Sequence, residues 1–110
     1  MSQSGCKAET TEPYVLRVLG DSMFLEFEDG HIIIVDPGHP PCSGAFVVID
    51  YGGEVILGQY VEEGKHRWIK YLNEDHAPVA LIPPFEFKGV VTQRVGRRRR
   101  DRKHYDYPIA

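Results

Sequence analysis

Ala45-Phe46-Val47-Val48-Ile49-Asp50-Tyr51, then Gly52-Gly53, then Glu54-Val55-Ile56-Leu57-Gly58-Gln59-Tyr60-Val61, is the stretch that decides the fold class of this chain. Ala45 to Tyr51 is rich in β-branched and aromatic side chains and too short for a typical helix, so it reads as a buried strand. Gly52-Gly53 supplies the left-handed backbone that a two-residue hairpin loop requires. Glu54 to Val61 is then the returning strand.

The same reading extends outward on both sides. Upstream, Tyr14 to Val18 is a short strand leading into Gly20-Asp21-Ser22-Met23, and His31 to Val35 is a β-branched run stopped by Asp36-Pro37-Gly38. Between them Phe24 to Glu28 alternates weakly, a short helical turn after Ser22 also fits, and Asp29-Gly30 supplies a turn. Downstream, Glu62-Glu63-Gly64-Lys65 turns into His66 to Leu72, and Asn73-Glu74-Asp75-His76 turns again. Val79 to Ile82 follows, then Pro83-Pro84, then a last strand from Phe87 to Val95. Short strands with turn signals every eight to twelve residues predict an all-β domain of antiparallel strands and hairpins, either a partly closed barrel or a sandwich. No segment keeps a 3.6-residue apolar period, and no internal repeat is evident.

At 110 residues the chain makes one domain with a single core. Its apolar runs are far too short to span a bilayer as a helix, and the polar start lacks a signal peptide's apolar stretch, so the expected address is cytoplasmic with no membrane partner. Cys6 and Cys42 make no disulfide framework. Residues 1–13 read as a flexible leader, residues 14–95 as the domain, and residues 96–110 as a disordered basic tail. The net charge of −3 is uneven. From Lys88 onward there are eight basic and two acidic side chains, against five basic and fourteen acidic before it. An acidic body argues against nucleic acid as its partner and confines any such contact to the tail, Arg97 to Lys103. A solvated, solubilising tail that folds back on the acidic body is the plainer reading.

Two residues carry candidate chemistry. Ser22 stands on a tight Gly-Asp turn just after a strand, where turn N–H groups lie beside its hydroxyl in the manner of an oxyanion hole. Lys70 sits in a strand segment on the face of Trp68 and Leu72, an apolar setting that disfavours the charged amine and lowers a lysine's pKa. Such a lysine could take the proton from Ser22 Oγ and create a nucleophile for a peptide carbonyl. Taken alone, each residue is more economically a turn serine and a surface-reaching strand lysine. His31, His39, Cys42 and His76 lack the paired short spacings of a zinc site, so neither a metal nor a cofactor is expected.

Leu16 to Met23, Asp29 to Asp36, Gly44 to Val48, Ile69 to Leu72 and Gly89 to Val91 together resemble, in order, the peptidase domain of LexA-like repressors and UmuD. That serine peptidase family acts in SOS and phage regulation. The resemblance covers about residues 14 to 94 and implies the LexA/UmuD-type all-β fold, a Ser–Lys dyad, self-cleavage and a homodimer. Carried over by position, Ser22 is the nucleophile, Lys70 the general base, and the backbone N–H groups of Asp21 and Ser22 the oxyanion donors. The substrate is then a protein or peptide.

The sequence departs from the family in four places. Phe24-Leu25 stands where an acidic residue and proline usually follow Ser-Met. The Glu54 to Lys65 hairpin lengthens the interval between serine and lysine. The segment after Lys70 reaches the last strand quickly through Pro83-Pro84, in the region the family uses to dimerise. No Ala-Gly or Cys-Gly bond precedes Ser22, since Gly5-Cys6 has the order reversed, and 21 residues leave no room for a helix-turn-helix domain. The expectation is therefore a stand-alone peptidase-type domain acting on another chain, or a partner-binding module that keeps the fold without the reaction. Signal peptidases share the Ser-Met and Ser–Lys logic but need a membrane anchor.

Overall fold

The computed structural model describes residues 12–24 and 26–107. Most of the expected leader lies outside the described residues. The described residues form eight strands: β1 (Tyr14–Arg17), β2 (Ile32–Asp36), β3 (Phe46–Tyr51), β4 (Glu54–Glu63), β5 (His66–Lys70), β6 (Val79–Ala80), β7 (Glu86–Val95) and β8 (Lys103–His104). They make one antiparallel sheet in the order β1-β2-β7-β3-β4-β5-β6, with β8 also paired to β7, bent into a half-barrel. The all-β reading is borne out. No helix is long and apolar enough to cross a membrane among the described residues.

Alternation along the central strands sends side chains to two cores, because successive residues of a strand face opposite sides. On one face Ile33 and Val35 of β2, Val48 of β3 and Val91 of β7 pack with Met23 and Phe27. On the other, Val47 and Ile49 of β3, Tyr60 of β4, Ile69 of β5 and Val90 of β7 pack with Leu81. A strand buried on both faces reads as an unbroken apolar run, which is why Phe46 to Ile49 carries no polar residue. The β3–β4 hairpin closes at Gly52 and Gly53, whose φ values of 62° and 85° match a type I′ turn.

β7 holds the sheet together by pairing with β2, β3 and β8, and its register shifts opposite Ile34/Val35 and again opposite Val48/Ile49. Gly89 sits between those shifts at φ 146°. A Cβ there would lie 2.5 Å from Val35 Cγ1 and 2.9 Å from the Asp36 backbone, so only glycine lets β7 pass.

The tail differs from the expectation of disorder. A 3₁₀ turn, Arg99–Asp101, leads into β8, which pairs Gln93 with His104 and Arg94 with Lys103. Tyr105 is buried in the first core and Tyr107 packs against both cores. Two tyrosines set in a charged run have no periodicity, which is why they do not announce a docked segment in the sequence. The Tyr107 hydroxyl donates to the Val91 carbonyl at 2.8 Å, and burial pushes its phenol up to about 12. The fold-back on the acidic body does occur, and Glu26 receives it. One Glu26 carboxylate oxygen accepts from Tyr105 at 2.6 Å, Lys103 at 2.9 Å and Arg94 at 3.3 Å.

Burial alone would raise the Glu26 carboxyl, but the Tyr105 and Lys103 hydrogen bonds and the Arg94 charge outweigh it and hold it below the usual carboxylate range. A carboxyl depressed in the folded state contributes stability above its unfolded value, and that stability is lost as pH falls through the folded value. Urea unfolding should therefore show stability falling below about pH 4, and Glu26→Gln should reduce that part of the fall while costing about 1–3 kcal/mol at neutral pH. Identical acid profiles for the two proteins would contradict this assignment.

Candidate functional site

The loop after β1 is closed at its base by backbone bonds. Val18 N–H donates to the His31 carbonyl, and Gly30 N–H donates to the Val18 carbonyl, each at 2.8 Å. Gly20, at φ 86°, donates its N–H to Asp29 Oδ1 at 2.7 Å, which tightens the turn ahead of the serine. A single helical turn follows, with Phe24 N–H to the Asp21 carbonyl at 3.0 Å and Phe27 N–H to the Met23 carbonyl at 2.8 Å. Met23 and Phe27 are 1% and 0% exposed, so the residues beside Ser22 anchor the loop in the core. Ser22 itself is half-buried.

The turn after β5 is fastened to this loop. Asn73 donates its backbone N–H to the Ser22 carbonyl and its Nδ2–H to the Asp21 carbonyl, both at 3.0 Å. Asn73 is shaped for the task by its own Oδ1, which accepts from Asp75 N–H at 3.0 Å. His76 Nε2 lies 3.0 Å from Asp21 Oδ1 and completes the clamp. The two side-chain contacts to Asp21 join residues 52 and 55 positions apart, and sequence reading missed them because Asn73 to His76 looks only like a turn.

Lys70, three residues before Asn73, is the last residue of β5. It pairs with Gln59, which pairs with Phe46, and cross-strand partners share a sheet face. Phe46 packs edge-on against Phe27 at 5.1 Å, so Lys70 is on the face that the Ser22 loop covers. The dry setting expected for this lysine is absent. Lys70 is exposed, Leu72 lies beyond the end of β5, and Trp68 stacks on His66 at 5.8 Å. Among the described residues no hydrogen bond joins Ser22 Oγ to Lys70 Nζ, and the N–H groups of Asp21 and Ser22 donate to no protein acceptor.

Ser22 forms part of the wall of a cleft of about 660 Å³ with Leu16, Val48, Leu57, Tyr71 and His76; Lys70 does not line it. Leu16, Val48 and Val55 also line a second cleft of about 800 Å³ beside β1. Burial, aided by the charge of Glu54, pushes the Tyr71 phenol up, so it stays neutral in the cleft wall. The arrangement is a partly apolar groove beside a serine whose turn has two N–H groups unclaimed among the described residues, with an exposed amine on the adjoining strand end.

The family model described as Peptidase S24-like matches residues 2–92. The prophage repressor CohE of Escherichia coli (strain K12) is 42% identical over 62 residues, covering 54% of this chain and 28% of the repressor. An HTH-type transcriptional regulator for conjugative element R391 of Providencia rettgeri is 33% identical over 89 residues, covering 74% of this chain and 41% of the regulator. The corresponding regulator for element SXT of Vibrio cholerae gives the same figures of 33% and 89 residues. The chain thus spans under half the length of these relatives.

Proposed function

The chain belongs to the Peptidase S24-like family, and from that premise we propose that it hydrolyses peptide bonds with Ser22 as nucleophile and Lys70 as general base. The observation that carries the reading is the Asn73 clamp, which fastens the end of β5 to the Ser22 turn. Lys70 has four rotatable side-chain bonds and stands on the sheet face that the Ser22 loop covers, so the proposal requires its amine to turn toward the hydroxyl when substrate binds.

Neutral Lys70 then takes the Ser22 proton as Oγ attacks the carbonyl, and the developing oxyanion accepts from the Asp21 and Ser22 N–H groups. Lys70 returns the proton to the leaving amine and afterwards activates the water that cleaves the ester. The substrate is a protein or peptide, and the setting we propose is the cytoplasmic control of a mobile element, in keeping with what the relatives are named for. Homodimerisation belongs to the same proposal.

One observation favours a different reading, a partner-binding module without catalysis: Lys70 is exposed and not hydrogen-bonded to Ser22. The two readings part on reaction with a fluorophosphonate probe followed by mass spectrometry. An amine is a base only when neutral, so acylation of Ser22 should rise steadily from about pH 7 to pH 10. A chain that stays unlabelled across that range is a binding module.

A further inference from the structure

Gly96 to His104 contains no apolar side chain, yet the structure holds this segment in place. Arg94 Nε–H donates to the Asp101 carbonyl at 2.7 Å, Arg98 N–H donates to Asp101 Oδ2 at 3.1 Å, and β8 pairs with β7. Buried Tyr105 locks the far end. The acidic residue of the run, Asp101, is thus spent on the segment's own backbone. Arg97, Arg98, Arg99, Arg100 and Arg102 are exposed, and among the described residues none is in an ion pair. The nearby pairs, Arg94–Glu26 and Lys103–Glu26, use other cations.

We propose that this anchored arginine strip is a docking site for the phosphate backbone of a nucleic acid. Five guanidinium groups on a fixed turn repel one another, and an anionic partner relieves that repulsion. The choice of arginine suits phosphate, which it binds with paired N–H donors. A protein partner fits less well, because protein interfaces set their arginines around a buried apolar or aromatic centre and this strip presents none. Anchoring matters to affinity, since an ordered segment loses less conformational entropy on binding than a loose tail. The site is independent of whether Ser22 reacts, and it reads phosphates rather than base sequence.

Fluorescence anisotropy of the full chain with an arbitrary 20-base-pair DNA duplex tests this. Binding at 50 mM salt should weaken about 500-fold by 200 mM, the slope for five neutralised phosphates. Replacing Arg97, Arg98, Arg99, Arg100 and Arg102 with glutamine should remove that binding without lowering the unfolding midpoint, and Lys65→Gln, in the β4–β5 turn, should leave binding intact. The proposal is overturned if no duplex binds at 50 mM salt or if the glutamine variant binds equally well. Arginine-dependent self-association without DNA binding also overturns it, and identifies the acidic body of a second copy as the occupant.

Discussion

Ser22→Ala is expected to abolish both probe acylation and peptide cleavage, with a rate loss of about 10³-fold or more. In the proposed mechanism the substitution removes the atom that would form the acyl-enzyme bond. Lys70→Ala should cost a similar factor, because a serine hydroxyl without a base is a weak nucleophile at neutral pH. Lys70→Arg should not rescue the reaction, since a guanidinium stays protonated and cannot accept the hydroxyl's proton. The double variant should be no slower than either single one, as residues acting as a unit lose their effect together. Ser22 is only half-buried and Lys70 is exposed, so all four proteins should unfold at nearly the same denaturant concentration. Cleavage that survives Lys70→Ala at full rate would remove the lysine from the mechanism, whatever the serine does.

How much of this was legible in the sequence differs between scaffold and site. The strands were legible because their apolar runs are bounded by Gly, Pro and Asp. Gly52-Gly53, Asp29-Gly30 and Asp36-Pro37-Gly38 each stand where the chain turns, and the bounds of β3 and β7 fall within a residue of the expected ones. Periodicity placed Lys70 on a strand, but it could not say whether that strand end is covered. The burial expected from Trp68 and Leu72 assumed alternation continuing to Leu72, whereas β5 stops at Lys70 and the chain turns toward Asn73. Contacts made by single polar groups across the fold leave no local pattern. Asn73 on Ser22, His76 on Asp21 and Tyr105 on Glu26 are of this kind, and each fastens the Ser22 loop.

Those fastenings rest on the apolar anchors Met23 and Phe27, and removal of the larger, Phe27, is expected to have the largest effect on stability. Phe27 is 0% exposed, with the Phe46 ring edge-on at 5.1 Å and the Tyr105 ring at 5.6 Å. Phe27→Ala deletes the ring between the Ser22 loop, β3 and the docked tail, and leaves a cavity that three separately anchored segments cannot jointly close. The expected cost is about 3–5 kcal/mol, a large part of the roughly 5–15 kcal/mol that holds a domain together. Urea unfolding should show a lower midpoint at unchanged slope, and a loss under about 1 kcal/mol would mean the loop is held mainly by its polar contacts. Phe27→Leu, which keeps most of the volume, should recover most of the stability. The functional consequence follows from the chain itself. Ser22 is joined through Met23 to the turn that Phe27 closes with its N–H on the Met23 carbonyl at 2.8 Å. Loosening that turn frees the serine hydroxyl and the Asp21 and Ser22 N–H groups to move relative to β5. Probe acylation per folded molecule should therefore fall in Phe27→Ala even where the protein remains fully folded, a loss that stability alone would not produce.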